Sequence, residues 1–321
     1  MIKKILKWTG LILLIILVGL SITAALRQHI QYDAPYPSIK ASTDSAVIAR
    51  GKYLVYGPAH CADCHATPES LAEVDKGGIA VLSGGRAFNI PIGVIYSRNL
   101  TSDETGLGHF KDEEIARSLR FGVGHDGRAL FDFMPFHNTS DEDLTAIISY
   151  LRTLPPAKNV VPDNHMNLLG NFVKAFLIKP VGPIGEPIHA IKPDSSIEYG
   201  NYLATSVSNC RGCHTNRDLM TGAYIGQEYA GGFKMESIID PVHFACVTPN
   251  LTPDPATGHI TAWTEDIFLQ RFHSGKLIPH SAMPWGPFSR TSDIEIKAIY
   301  RYLKTLAPIK NDPGPSLVKI N

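Results

Sequence analysis

The sequence predicts an all-α protein: two tandem helical domains behind an N-terminal transmembrane helix. Three observations predict it. One long run near the start carries no charge, the remainder repeats a set of landmarks in the same order, and apolar residues in each copy recur with the period of a helix.

The first element is Trp8 to Leu26, nineteen residues without a charge between Lys7 and Arg27. At about 1.5 Å per residue it spans roughly 28 Å, close to the thickness of a bilayer's hydrocarbon core. Lys3, Lys4 and Lys7 precede the span, so the positive-inside rule places the amino terminus in the cytoplasm. The expectation is a single-pass protein of the cytoplasmic membrane, with everything after Arg27 on the periplasmic side. Cleaved signal peptides have apolar regions of roughly 7–15 residues. The longer run here favours residues 1–30 as both export signal and retained anchor. Across the chain, 30 basic residues balance 30 acidic ones. Phosphate recognition needs an excess of Lys and Arg, so nucleic acid is excluded as a partner.

The repeat defines the organisation. Arg50-Gly-Lys-Tyr53-Leu precedes Cys61-Ala-Asp-Cys64-His65, and Tyr199-Gly-Asn-Tyr202-Leu precedes Cys210-Arg-Gly-Cys213-His214, displaced by 149 residues. Gly84-Gly85 answers Gly231-Gly232, Asn99-Leu-Thr101 answers Asn250-Leu-Thr252, and Met134-Pro135 answers Met283-Pro284. The domains expected are 44–156 and 194–311, joined by a linker with a short helix over 157–193. Thr43 is placed to cap a helix through Val55. Further helices are expected over Asp112–Arg120 and Thr264–Phe272. The helix closing each copy carries an apolar stripe: Leu144, Ile147, Ile148, Leu151 and Leu154, then Ile296, Ile299, Tyr300, Leu303 and Leu306. Proline ends each one, at Pro155 and Pro308. Few strands are evident. The linker stripe of Leu168, Leu169, Phe172, Val173 and Phe176 reads as packing between the domains, with docking onto a partner protein or the membrane surface as the alternative.

The chemistry lies in the two Cys-x-x-Cys-His pentads. A helical turn brings residues i, i+3 and i+4 to one face. Cys61 and Cys64, or Cys210 and Cys213, can then bond to the two vinyl groups of a haem while His65 or His214 reaches its iron. A redox disulfide needs no following His. A zinc site would have to bring together ligands about 145 residues apart, whereas Cys and His ligands to zinc come in nearby pairs. Two covalently bound haem c groups are therefore expected. Each copy offers one Met for the second axial position: Met134 and Met283, each 69 residues after its His. The following proline favours an extended loop that can deliver a thioether to iron. His137 and His280 are the rival ligands.

Around these residues, the run Gly84-Gly-Arg, Asn99-Leu-Thr-Ser-Asp, Thr105-Gly-Leu-Gly, Gly122-Val-Gly-His-Asp-Gly-Arg, Met134-Pro-Phe and Tyr150-Leu-Arg-Thr-Leu-Pro resembles the class I cytochrome c domains of the cytochrome subunits of bacterial membrane-bound alcohol, gluconate and aldehyde dehydrogenases. The resemblance covers residues 44–311. It implies covalent haem c, His/Met ligation and delivery of electrons toward a respiratory chain. The redox partners implied are a dehydrogenase subunit, a quinol-oxidising complex or a terminal oxidase. The sequence departs from that pattern in carrying two haem signatures where those subunits typically carry three. Its apolar span also lies at the amino end, where several of them anchor at the carboxyl end. The rival function is a dihaem enzyme resembling cytochrome c peroxidase, which would need one iron open to exchange.

Cys246 has no counterpart in the first copy and reads as a packed free thiol. Asn99, Asn138 and Asn250 fit the glycosylation pattern but read as loop residues.

Overall fold

The computed structural model describes residues 1–134, 136–237 and 240–320. Helix α1 (Ile2–Arg27) is exposed along its length and, among the described residues, is the helix long and apolar enough to cross a membrane. Helix α2 (Ser45–Tyr56) is capped by Asp44, not Thr43: its carboxylate accepts from Ala46 N and Val47 N at 2.7 and 3.4 Å. A carboxylate at this position also meets the positive end of the helix dipole. Helices α3 (Cys61–His65) and α4 (Leu71–Asp75) follow, then strands β1 (Ala87–Ile90) and β2 (Gly93–Tyr96). Next come α5 (Asp112–Phe121), α6 (Asp141–Thr153), β3 (His165–Met166) and α7 (Leu168–Phe176). The second half has α8 (Ile197–Tyr202), running into a π-helical turn over Leu203–Val207, then α9 (Cys210–His214), β4 (Lys234–Glu236) and β5 (Phe244–Val247). It ends with α10 (Glu265–His273), α11 (Trp285–Phe288), α12 (Asp293–Leu303) and β6 (Leu317–Lys319).

The all-α expectation needs one correction. The chain's regular structure is mainly helical, but each half adds a small antiparallel sheet, ordered β1-β2-β3 and β4-β5-β6. The strands are two to four residues long. That is too short for a period-two pattern to show above loop sequence.

In each half the first long helix crosses the last. At the α2–α6 crossing a Cβ on Gly51 would lie 1.8 Å from the Ala146 carbonyl oxygen, and at the α8–α12 crossing one on Gly200 would lie 1.9 Å from that of Ala298. The repeated Arg/Tyr-Gly-x-Tyr landmark therefore marks where two helix backbones touch. The predicted stripe of α6 is buried from Leu144 to Leu154, and Ile296, Ile299 and Leu303 are buried on α12. One apolar core joins the halves, running from Leu54, Val55 and Tyr150 to Tyr199, Leu203 and Ile299. The linker helix α7 does not fill the space between the halves as expected. Its buried Val173 instead joins Ile92 and Ile178 in a cluster beneath the first hairpin.

Candidate haem-binding sites

Each Cys-x-x-Cys-His pentad forms its own helical turn, α3 or α9, preceded by a residue in the left-handed region: His60 with φ 40° and Asn209 with φ 53°. A non-glycine residue seldom adopts this conformation, and its recurrence at matching positions shows that the chain must turn sharply before the first Cys. Asn209 offsets the strain by accepting from Gly212 N. None of the five cysteines is joined in a disulfide. Burial pushes Cys61, Cys64 and Cys210 up to about 12 and Cys213 up to about 11. Among the described residues no three His, Cys, Asp or Glu side chains converge on a point that could hold a bare metal ion, as a zinc site would require.

The two histidines are held alike. His65 Nδ1 donates to the Arg98 carbonyl at 2.8 Å, and His214 Nδ1 donates to the Pro249 carbonyl at 3.0 Å. A carbonyl can only accept, so Nδ1 carries the proton and Nε2 keeps its lone pair. Burial lowers the pKa of both rings, that of His214 to about 4, so each imidazole is in the neutral form that binds iron. A hydrogen bond of this kind fixes the ring and raises its basicity as a ligand. Glycine makes the approach possible. Gly84 N and Gly231 N donate back to the carbonyls of His65 and His214 at 2.8 and 2.7 Å, with φ of 73° and 74°. These backbone acceptors were not foreseen from sequence.

Met134 and Met283 are half-buried and pack on the main core. Each closes the same tight turn: Phe136 N donates to Met134 O at 2.8 Å and Trp285 N to Met283 O at 2.7 Å. Pro284 at the centre of the second turn has φ −74° and ψ 64°, an inverse γ-turn. Pro135, expected to shape the first, lies outside the described residues. The rival His137 has both ring nitrogens engaged, by the Arg120 carbonyl at 3.1 Å and by Asp132 at 2.9 Å. His280 Nδ1 faces Ser237 Oγ at 2.9 Å. Cys246 is buried in β5 and donates to the His280 carbonyl, a packed thiol.

The donor set fits haem. Besides two thiols and an oriented imidazole per pentad, the guanidinium of Arg271 lies 3.4 Å over the ring of Trp285, two residues beyond Met283. Its Nη2 is buried without a hydrogen-bond partner among the described residues. Nη1 donates to the Gly275 carbonyl at 2.8 Å, so one buried donor of a partly exposed guanidinium is left over beside the second site, which suits a carboxylate of a haem. The two halves also meet near these sites: Arg217, just beyond α9, pairs at 3.1 Å with Asp132, two residues before Met134.

Asn99 and Asn250 are buried and hold loops together. Each accepts from the backbone and hydroxyl of the Thr two residues on and donates to Thr105 or Thr257.

No family model matches the chain. Over most of its length it is similar to cytochrome c components of oxidoreductases. It is 29% identical to the cytochrome c subunit of alcohol dehydrogenase (quinone) from Gluconacetobacter polyoxogenes, over 84% of this chain and 58% of that protein. It is 26% identical to the fructose dehydrogenase cytochrome subunit of Gluconobacter japonicus, over 88% of this chain and 57% of that one. Over a shorter stretch, 37% of this chain and 29% of the relative, it is 37% identical to the gluconate 2-dehydrogenase cytochrome c subunit of Pantoea cypripedii. The chain thus spans less than three fifths of the length of these relatives. Its homologues are cytochrome c subunits of dehydrogenases, the group the sequence motifs resemble.

Proposed function

We propose that the chain is a membrane-anchored dihaem c-type cytochrome that takes electrons from a dehydrogenase, or from quinol, and passes them toward a respiratory acceptor. It comprises two class I cytochrome c domains, 44–156 and 194–311, behind the anchor of residues 1–30. Cys61 and Cys64 hold one haem c and Cys210 and Cys213 the other. His65 with Met134, and His214 with Met283, are the axial pairs. The observation that carries this reading is the duplicated pentad whose imidazole is fixed by a backbone carbonyl in both copies. Bound haem supplies a one-electron ferric/ferrous couple whose potential a Met ligand raises. The protein's part is to keep Nε2 of each His deprotonated and aimed, to present each thioether from a tight turn, and to exclude water by burying both rings. With a Met landmark in each half, neither site is reserved for substrate, which favours a carrier over a peroxidase-like enzyme.

Pyridine haemochrome analysis of the acid-acetone-extracted protein is expected to give two covalent haems per chain, and one or none overturns the reading. Met134→His and Met283→His are each expected to lower the potential of one haem in a potentiometric titration, because imidazole donates more strongly than thioether. Rapid carbon monoxide binding with peroxide turnover by the unmodified protein would favour the enzyme instead.

A further inference from the structure

Helix α7 leaves much of its apolar surface bare. Leu168 is 91% exposed, Leu169 50% and Phe172 41%. At about 100° per residue, positions 168, 169, 172 and 176 share one arc roughly 100° wide. Gly170 and Val173, next to that arc, face the protein, so the bare stripe is not the side that holds the helix in place. Large apolar side chains grouped in this way mark a surface that something covers.

The position of α7 identifies what covers it. Arg27, the charge that ends the apolar span, donates from Nε to the Ala175 carbonyl at 2.8 Å and lies 5.6 Å over the ring of Phe176. Tyr32 Oη, a few residues on, donates to the Ile178 carbonyl at 3.2 Å. The end of α7 is thus tied to the end of α1. If α1 spans the bilayer, Arg27 sits at the outer headgroups and α7 sits beside it at the same depth. The surroundings match that level: Tyr32, Phe172 and Phe176 offer aromatic rings suited to a membrane interface, and the exposed Lys179, just past the helix end, can meet lipid phosphates.

We propose that α7 is an interfacial helix whose Leu168–Leu169–Phe172 stripe is inserted into the outer leaflet beside the exit of α1. This rests on the reading of α1 as a retained anchor. The contact orients more than it attaches. One span can swivel, but a span clamped to an interfacial helix presents one face of the first half to the membrane plane, through the cluster of Ile92, Val173 and Ile178.

The test places a photo-crosslinking benzophenone amino acid singly at Leu14, Leu168, Phe172 or Lys174 of the full-length protein in its own membranes. After irradiation, intact-mass analysis reads the adducts. Phospholipid adducts are expected at Leu14, Leu168 and Phe172, several-fold more than at Lys174 on the opposite side of the helix. Lipid adducts at Leu14 but protein adducts at Leu168 and Phe172 overturn the inference in favour of a partner surface, as does labelling no greater than at Lys174. A mature chain that lacks residues 1–26 overturns the anchor reading itself, and the intact mass shows that separately.

Discussion

At the residue scale, the proposed ligands stand out in the sequence because each is a distinctive side chain at fixed spacing: Cys61, Cys64, His65 and Met134, and their second copies. What orients them was not, because the carbonyls of Arg98 and Pro249 belong to the backbone and leave no trace in residue type. The trace lies instead in the glycines that let those segments approach. A Cβ on Gly84 would sit 2.6 Å from the Arg98 carbonyl group, and one on Gly231 would sit 2.5 Å from the Pro249 carbonyl carbon. Both residues also occupy the left-handed region, where a side chain is strained by about 1–3 kcal/mol. Gly84→Ala and Gly231→Ala should therefore push away the acceptor of the adjacent imidazole. The expected outcome is a loss of about 2 kcal/mol or more in unfolding free energy, with one haem's axial spectrum disturbed and the other's kept. Denaturant melts and low-temperature spectra of the ferric protein check this, and unchanged spectra in both variants would remove these glycines from the account.

At the scale of elements, strongly periodic helices were legible and their neighbours less so. The stripes of α6 and α12 follow from apolar spacing, whereas β3 and β6 come from the linker and the tail and pair with hairpins distant in sequence. Such pairing is non-local, and segments this short carry no pattern of their own. The start of α6 shows the same dependence on distant chain. Asp141, in the first turn of α6 where a carboxylate complements the helix dipole, also takes Arg120 Nη1 at 2.5 Å and His189 Nδ1 at 2.6 Å, and the linker carbonyls of Ile188 and His189 accept the helix's first free amides. Burial pushes the Asp141 carboxyl up, but the hydrogen bonds from Arg120 and His189 outweigh it and hold the pKa below the ordinary value. The folded state thus favours the ionised form. The stability this contributes is present above the unfolded value of about 3.9 and is lost as pH falls through the lower folded value. Asp141→Asn should cost about 2 kcal/mol at neutral pH, with the gap between variant and parent closing below about pH 4. Unfolding midpoints measured across that range test the sign, and a gap that widens on acidification would refute it.

At the scale of the whole molecule, the duplication has become an interface. Tyr53 and Tyr202, equivalent in the repeat, reach across to equivalent carboxylates in opposite halves: Tyr53 Oη donates to Glu295, and Tyr202 Oη donates to Asp143 at 2.8 Å. This is the reciprocal contact of a two-fold pair, as two identical chains would make. One position breaks the symmetry. Where the second half has Tyr199, donating to Glu295 at 2.9 Å, the first has Arg50, which bridges Asp143 at 2.9 Å and Glu295 at 3.1 Å. Both carboxylates are buried, Glu295 almost completely. Desolvation lowers the Arg50 pKa, but the bond to Asp143 and the charges around it more than restore it, so the guanidinium stays charged. A single cation thereby neutralises part of two buried anions from different halves. Removing one partner of such a group leaves uncompensated charge, which costs about 3–5 kcal/mol when burial is complete. With a quarter of the Arg50 side chain exposed, Arg50→Met should cost about 3 kcal/mol. Arg50→Lys should recover only part of this, because one ammonium cannot fork to both carboxylates. The parent should unfold in one transition, seen identically through the haem absorbance and through far-ultraviolet circular dichroism, because its two halves share one core. In Arg50→Met the transition should broaden or split as the halves separate before they melt. A variant that unfolds at the parent's midpoint in one coincident step would show that the apolar core alone joins the halves.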